Sequence, residues 1–213
     1  MRNTTQQQKG MQGFTLVELM VATMVFAMVL LLITVAVVQI NRVYYKGVTE
    51  ANTQNVARDI VDVVSQAIQF DAGSIVQTPD APPAGAMQTA CAGSQQFVFW
   101  PGYRLVEGSP GTNEVTQAFI LRSATGNCAN PAPLPDGSID GRELLSTGMR
   151  VSKFDITQVG GTNLYRLSVT VVFGDDASLN NPTSTTPTCR SIQQNNEFCS
   201  VATINTVVEK RVE

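Results

Sequence analysis

The chain has 213 residues, 43% of them hydrophobic, and a formal net charge of −3. That apolar fraction excludes a disordered chain, and with no basic excess there is no electrostatic footprint for nucleic acid. There is no histidine, which excludes Ser-His-Asp and Cys-His catalysis and every His-ligated metal site.

The chain opens on a short polar stretch, MRNTTQQQKGMQG (1–13), carrying Arg2 and Lys9 but no acid. From Leu19 to Val38 only Thr23 and Thr34 are polar. A helix needs about 20 such residues to cross a bilayer core, and threonine hydroxyls are tolerated there by bonding carbonyls of the preceding turn. The basic stretch ahead predicts a cytoplasmic N-terminus, with everything after Val38 outside. QINRVYYKGVTE follows Val38 and offers no small-x-small cleavage site, so the apolar run is expected to stay in the mature protein. One carboxylate, Glu18, stands near its start, where a charge is costly in hydrocarbon.

Gly13-Phe14-Thr15-Leu16-Val17-Glu18 followed by a long apolar run resembles the processing site of type IV prepilins and type II secretion pseudopilins. The resemblance implies removal of residues 1–13 by a prepilin peptidase cutting between Gly13 and Phe14, then N-methylation of Phe14. A glycine before the cut lets an extended backbone enter a protease cleft without a side chain. The resemblance further implies that residues 14–38 serve first as a membrane span and then as a filament-core helix. Glu18 would pair with the Phe14 amine of its own or a neighbouring subunit and so set the register, since an unpaired charge in a low-dielectric layer is very costly. The implied partners are other pilin subunits, the peptidase and an assembly platform in the inner membrane. Family members often break this helix with Gly or Pro, and Phe14 to Val38 has neither.

The helical pattern continues through 39–70. Ile40, Tyr44, Gly47, Ala51, Ala57, Ile60, Val64, Ala67 and Ile68 recur every three or four residues, with Arg42, Lys46, Glu50, Arg58 and Asp62 mostly between them. This predicts one helix from about Phe14 to Phe70 whose second half packs on a sheet, with Gly73 and Ser74 as stop signals. Tyr44 and Tyr45 fall just past the apolar run, where amphipathic rings suit a membrane interface.

The globular part is 71–213. Residues 71–94, with three prolines and no period, predict a connector loop. Strands are expected in 95–100, 103–106, 115–123, 141–159, 163–174 and 198–211. The fold class is α+β, a long N-terminal helix on an antiparallel meander. The resemblance implies a pilin-like fold. The stretches RELLSTGMRVSKFDITQ and VATINTVVEKR look like strands of larger minor pilins and J-type pseudopilins, which favours a minor pilin of the W or J type.

Four cysteines allow three pairings, and an exported chain makes disulfides the natural reading. Cys91–Cys128 and Cys189–Cys199 are expected, because each pair lies within one region of sequence. The second would tie a polar insert, 179–199. Asp136, Ser138 and Asp140 begin a calcium-loop pattern, but its twelfth position is Thr147 rather than Glu, so no metal is assigned. No cofactor and no enzyme activity are expected, since no G-x-S-x-G or comparable nucleophile motif is present. Trp100, Tyr103 and Phe97 form either a binding patch or ordinary packing, and Asp175-Asp176 reads as a turn. The alternatives to a minor pilin are a type II pseudopilin, a signal-anchored extracytoplasmic binding domain, and an adhesin using the 179–199 insert.

Overall fold

The computed structural model describes residues 13–70, 75–77, 86–123, 138–190 and 198–211. Helix α1 runs from Leu16 to Phe70. The chain divides into two compact units, one ending at Val43 and one beginning at Tyr44.

In the first unit the helix is bare. Its apolar side chains from Phe14 to Val43 are exposed, and no residue of its most apolar 18-residue window is buried, at a mean hydropathy of 2.9. Thr23 donates to the carbonyl of Met20 at 2.9 Å and Thr34 to that of Leu30 at 2.8 Å. Both hydroxyls are therefore satisfied within the helix, as a lipid environment requires.

In the second unit the helix acquires a buried face. Thr53, Val56, Ala57, Ile60, Val61, Val64, Ala67 and Ile68 are buried, and their three- and four-residue spacing is one stripe of an α-helix. The expected register held for Ala57, Ile60, Val64, Ala67 and Ile68. Tyr44 is exposed, as are Gly47 and Ala51, because burial starts only at Thr53.

Twelve strands are present among the described residues: β1 Ile75–Gln77, β2 Gln88–Ala92, β3 Gln95–Phe99, β4 Arg104–Leu105, β5 Glu114–Val115, β6 Phe119–Ser123, β7 Arg142–Glu143, β8 Met149–Gln158, β9 Leu164–Phe173, β10 Leu179–Asn180, β11 Thr188–Cys189 and β12 Ser200–Glu209. They make an antiparallel five-stranded sheet, β1-β2-β3-β6-β7, and an antiparallel three-stranded sheet, β12-β9-β8. Two short pairs complete the set, antiparallel β10-β11 and parallel β4-β5. The α+β class is as expected. A single meander is not what forms: the strands divide between two sheets, the parallel pair β4-β5 stands apart, and β7 separates from β8 within the segment 141–159 read as one strand.

The connector also needs correcting. Residues 71–94 hold two strands, β1 and β2. The sequence of β2 shows no alternation because Ala90, Cys91 and Ala92 are all buried, so both faces of that strand take small side chains.

One core joins both sheets to the helix. It includes Ile60, Val64 and Ile68 of α1, Phe97, Phe99 and Phe119 of the larger sheet, and Phe154, Val169 and Val171 of the smaller. Phe154 lies 5.1 Å from the rings of both Phe99 and Phe119, in the tilted geometries aromatic pairs prefer. The sheets are also stitched by one side chain. Gln77 donates to the carbonyl of Phe154 at 2.9 Å and accepts from the Ile156 N–H at 2.8 Å, so its amide stands in for a strand along the free edge of β8.

On the far face of the larger sheet, Val98, Ile120 and Ile139 cluster with Met87 and Trp100. Gln117 holds Ile139 by both its N–H and its carbonyl, at 2.6 and 2.9 Å. Gly141 then passes close over β6 with φ +153°, where a Cβ would press on Ile120 and sit 2.7 Å from the carbonyl oxygen of Leu121. Trp100 and Phe97 thus belong to different clusters, and with Tyr103 they form no common patch.

Candidate functional site

The site starts with Thr15. It precedes the first helical residue, and its carbonyl accepts the N–H of Leu19 at 3.2 Å. Its hydroxyl accepts the N–H of Glu18 at 3.3 Å. In return the Glu18 carboxylate accepts the Thr15 N–H at 2.9 Å and the Thr15 hydroxyl at 2.8 Å, both on Oε2. This is a reciprocal capping box, Thr-x-x-Glu, which satisfies helix N-terminal donors that would otherwise be orphaned. The Thr-x-x-Glu spacing is readable in the sequence, and the cap it forms is a role for Glu18 beside the expected one in register.

Gly13 and Phe14 stand outside the helix in front of this cap. Phe14 is 88% exposed. A Cβ on Gly13 would meet nothing within 4 Å, so no packing among the described residues requires glycine there. The Gly13–Phe14 peptide is therefore accessible, non-helical and placed just before a capped helix that is bare and apolar. Such an arrangement offers a protease an open bond and offers lipid or neighbouring helices an apolar rod. Oxygen Oε2 of Glu18 carries both cap bonds, and Phe14 is the residue adjoining the cap.

The second region of interest is the disulfide-closed segment. Cys189 and Cys199 are bonded at 2.06 Å. Both sulfurs sit in a small cluster with Val172 and Leu179, fixed further by the Arg190 guanidinium donating to the carbonyl of Leu179 at 2.8 Å. An open cleft of about 440 Å³ separates this segment from α1, lined among others by Lys46, Glu50, Gln54, Cys189, Cys199 and Val201. Cys91 is buried on β2 and is disulfide-bonded. Its expected partner, Cys128, lies outside the described residues, as does Asp136 of the calcium pattern. Of the rest of that pattern, Asp140 is exposed, and the Thr147 hydroxyl donates to Glu107 at 3.0 Å. Among the described residues no three metal-ligating side chains converge.

One buried and one half-buried charge were missed from sequence. Arg150, with no exposed surface, donates to the carbonyls of Gly102 at 3.1 Å and Gly174 at 3.0 Å and pairs with Asp176 at 2.6 Å. Asp176 also accepts from Asn113 at 3.0 Å. Partial burial raises Asp176, and the bonds from Asn113 and Arg150 more than offset it, so its carboxyl lies below the usual range. Arg104 pairs with both Glu114 and Asp175 beside it. Glu143 accepts four backbone N–H groups, from Ala118, Phe119, Leu144 and Leu145, at 2.8 to 3.2 Å. Burial pushes its carboxyl up against those four donors. Both groups spend their bonds on the backbone of loops and strand ends, which is the work of a structural pin.

Residues 8–34 match the family model for the prokaryotic N-terminal methylation motif. No curated protein and no solved structure matches the chain. The matched span contains the Gly13–Phe14 bond, the cap and most of the exposed apolar helix. It supports a pilin- or pseudopilin-like subunit processed by a prepilin peptidase, a structural class rather than an enzymatic one.

Proposed function

We propose that the chain is a structural subunit of a type IV pilus, incorporated as a minor pilin that primes assembly or sits near the tip. The precursor is held in the inner membrane by residues 14–38 with its N-terminus in the cytoplasm. The peptidase cuts after Gly13, Phe14 is N-methylated, and the apolar helix leaves lipid for the helical core of the filament. The observation that carries this reading is the accessible Gly13–Phe14 bond inside the matched span, directly ahead of a bare apolar helix whose third residue is Glu18.

Glu18 sets the register. Thr15 remains an amide after cleavage, so the capping box survives processing and holds the carboxylate beside the new Phe14 amine. Assembly extends because head-to-tail contacts of identical helices do not close. The Cys189–Cys199 bond supports an extracytoplasmic second unit, where disulfides persist. Intact mass and N-terminal peptide mapping of protein from its own cells test the reading. A mature chain beginning at Phe14 with one added methyl is expected. A chain retaining 1–13 would overturn it in favour of a signal-anchored domain.

A further inference from the structure

The second unit begins with exposed aromatics. Tyr44 is 66% and Tyr45 55% exposed, with ring centroids 6.0 Å apart. A third ring joins them from the far end of the chain: Phe198, 52% exposed, lies 6.3 Å from Tyr45. Phe198 is no stray surface residue. Its neighbour Cys199 is 2% exposed and locked by the disulfide into the Val172–Leu179 cluster. The root of Phe198 is therefore fixed while its ring is left out of the core. Scattered single apolar residues on a surface need no explanation, but three aromatic rings gathered from two elements do.

Position along the chain indicates what covers them. Tyr45 follows Val38, the last residue of the apolar run, by seven residues. At the α-helical rise that is about 10 Å of helix, just past the headgroup layer of about 5–8 Å that flanks the hydrocarbon and within reach of it for a long side chain. Aromatic rings concentrate at that level because an apolar body and a polar tip are both accommodated there. Lys46, next in sequence, suits the same layer, where a long cationic side chain reaches to the headgroups.

We propose that Tyr44, Tyr45 and Phe198 form a membrane-interface contact that lays the disulfide-closed end of the second unit on the outer lipid headgroups while the precursor is held in the bilayer. The three rings take lipid, not a soluble ligand. The proposal rests on the reading of 14–38 as a membrane span, so its test carries a control for that reading.

The experiment uses the full chain in phosphatidylethanolamine–phosphatidylglycerol vesicles whose acyl chains are brominated at shallow or deep positions. Three variants each add one tryptophan, Phe198→Trp, Tyr45→Trp and Leu32→Trp, and the wild type, whose lone tryptophan is Trp100, supplies the baseline. The expected result is loss of emission from Phe198→Trp and Tyr45→Trp with shallow bromines, beyond the baseline, and loss from Leu32→Trp with deep ones. Quenching of Leu32→Trp alone would overturn the interfacial contact and leave the span intact. No quenching of Leu32→Trp would overturn the span and the contact together. Emission from Phe198→Trp that follows protein-to-lipid ratio and ignores bromine would mean that a second copy covers these rings, which also overturns the proposal. Tyr45→Trp reads the same cluster if Phe198→Trp fails to fold.

Discussion

Arg150 Nη2 and Asp176 Oδ1 lie 2.6 Å apart, the arginine side chain fully buried and the aspartate 39% exposed. The pair ties β8 to the turn after β9, while the same guanidinium reaches the carbonyls of Gly102 and Gly174. The two partners are not equivalent. Removing Asp176 leaves a buried cation that keeps both carbonyl partners, whereas removing Arg150 unpairs those carbonyls and empties a fully buried site. Asp176→Ala should cost about 2 kcal/mol, near the low end for a bond to a charged group because the acid is partly solvated. Arg150→Ala should cost more, about 3 kcal/mol or above, since packing and two carbonyl partners are lost as well. Urea unfolding of the full chain in detergent, followed by far-UV circular dichroism, would show the order; equal costs would contradict it.

The same region sets an acid limit. Asp176 and Glu114 both lie below their ordinary values, Glu114 through bonds from Arg104 and the Gly111 N–H. A lowered carboxyl contributes stability that is present above its unfolded pKa, about 4, and is lost as pH falls through the folded value. Glu143 runs the other way. Its raised carboxyl contributes fully below the unfolded pKa, and that contribution is lost as pH rises through the folded value. Stability of the second unit should therefore fall steeply below about pH 4, and Asp176→Asn should flatten that limb. The urea midpoint measured against pH for the two proteins checks it, and parallel acid limbs would refute the assignment.

Gln77 replaces a strand with a side chain. Gln77→Ala would leave the Ile156 N–H and the Phe154 carbonyl unpaired at a partly buried site, and should cost about 1–3 kcal/mol. Amide hydrogen exchange should quicken at Ile156 in particular. Unchanged exchange there would show that the inter-sheet stitch contributes nothing.

Thr15 and Glu18 allow cap and charge to be separated. Thr15→Ala removes the cap and keeps the carboxylate, at about 1 kcal/mol of local helix stability. Glu18→Gln keeps an oxygen acceptor at the third helical position and removes the charge. If charge sets the register, Glu18→Gln should be processed yet absent from sheared filaments, while Thr15→Ala is found in them. The reverse pattern, read by immunoblot, would make capping the true role of Glu18.

Gly13→Val tests whether the glycine serves an enzyme rather than the fold. Among the described residues no atom lies within 4 Å of its would-be Cβ, so folding should be unchanged. Processing should stop, leaving the uncut precursor mass in membranes. Normal cleavage of the variant would remove the steric account of this glycine.

Most of the helix and the long strands were legible because their signals are local. A 20-residue apolar run, the three- and four-residue stripe from Ala57 to Ile68, and the alternation of Leu167, Val169 and Val171 each show within a few turns of chain. The strands β1 and β2 were not, since buried small residues leave no alternation and Gln77 looks like any polar loop residue. Asp176 read as a turn residue and Arg150 drew no reading, because nothing near either one in sequence announces the other; only folding joins them. The disulfide pairing of Cys189 and Cys199 was legible from proximity, but the aromatic contact of Phe198 with Tyr45 spans most of the chain and was not.

The last strand is fastened at both ends. At its start the Cys189–Cys199 bond anchors the residue preceding Ser200. At its finish the Arg211 N–H donates to the carbonyl of Gln69 at 3.2 Å, and the Arg211 guanidinium lies over the ring of Phe70, a cation set at a helix C-terminus where the dipole favours it. Between these points β12 pairs with β9 over ten residues without a break in register. A pull applied along β12 at its two fastened ends therefore cannot peel this strand away one bond at a time from a loose end. It loads the ladder in shear, so the bonds share the force, and the strand can be drawn out only by breaking them together.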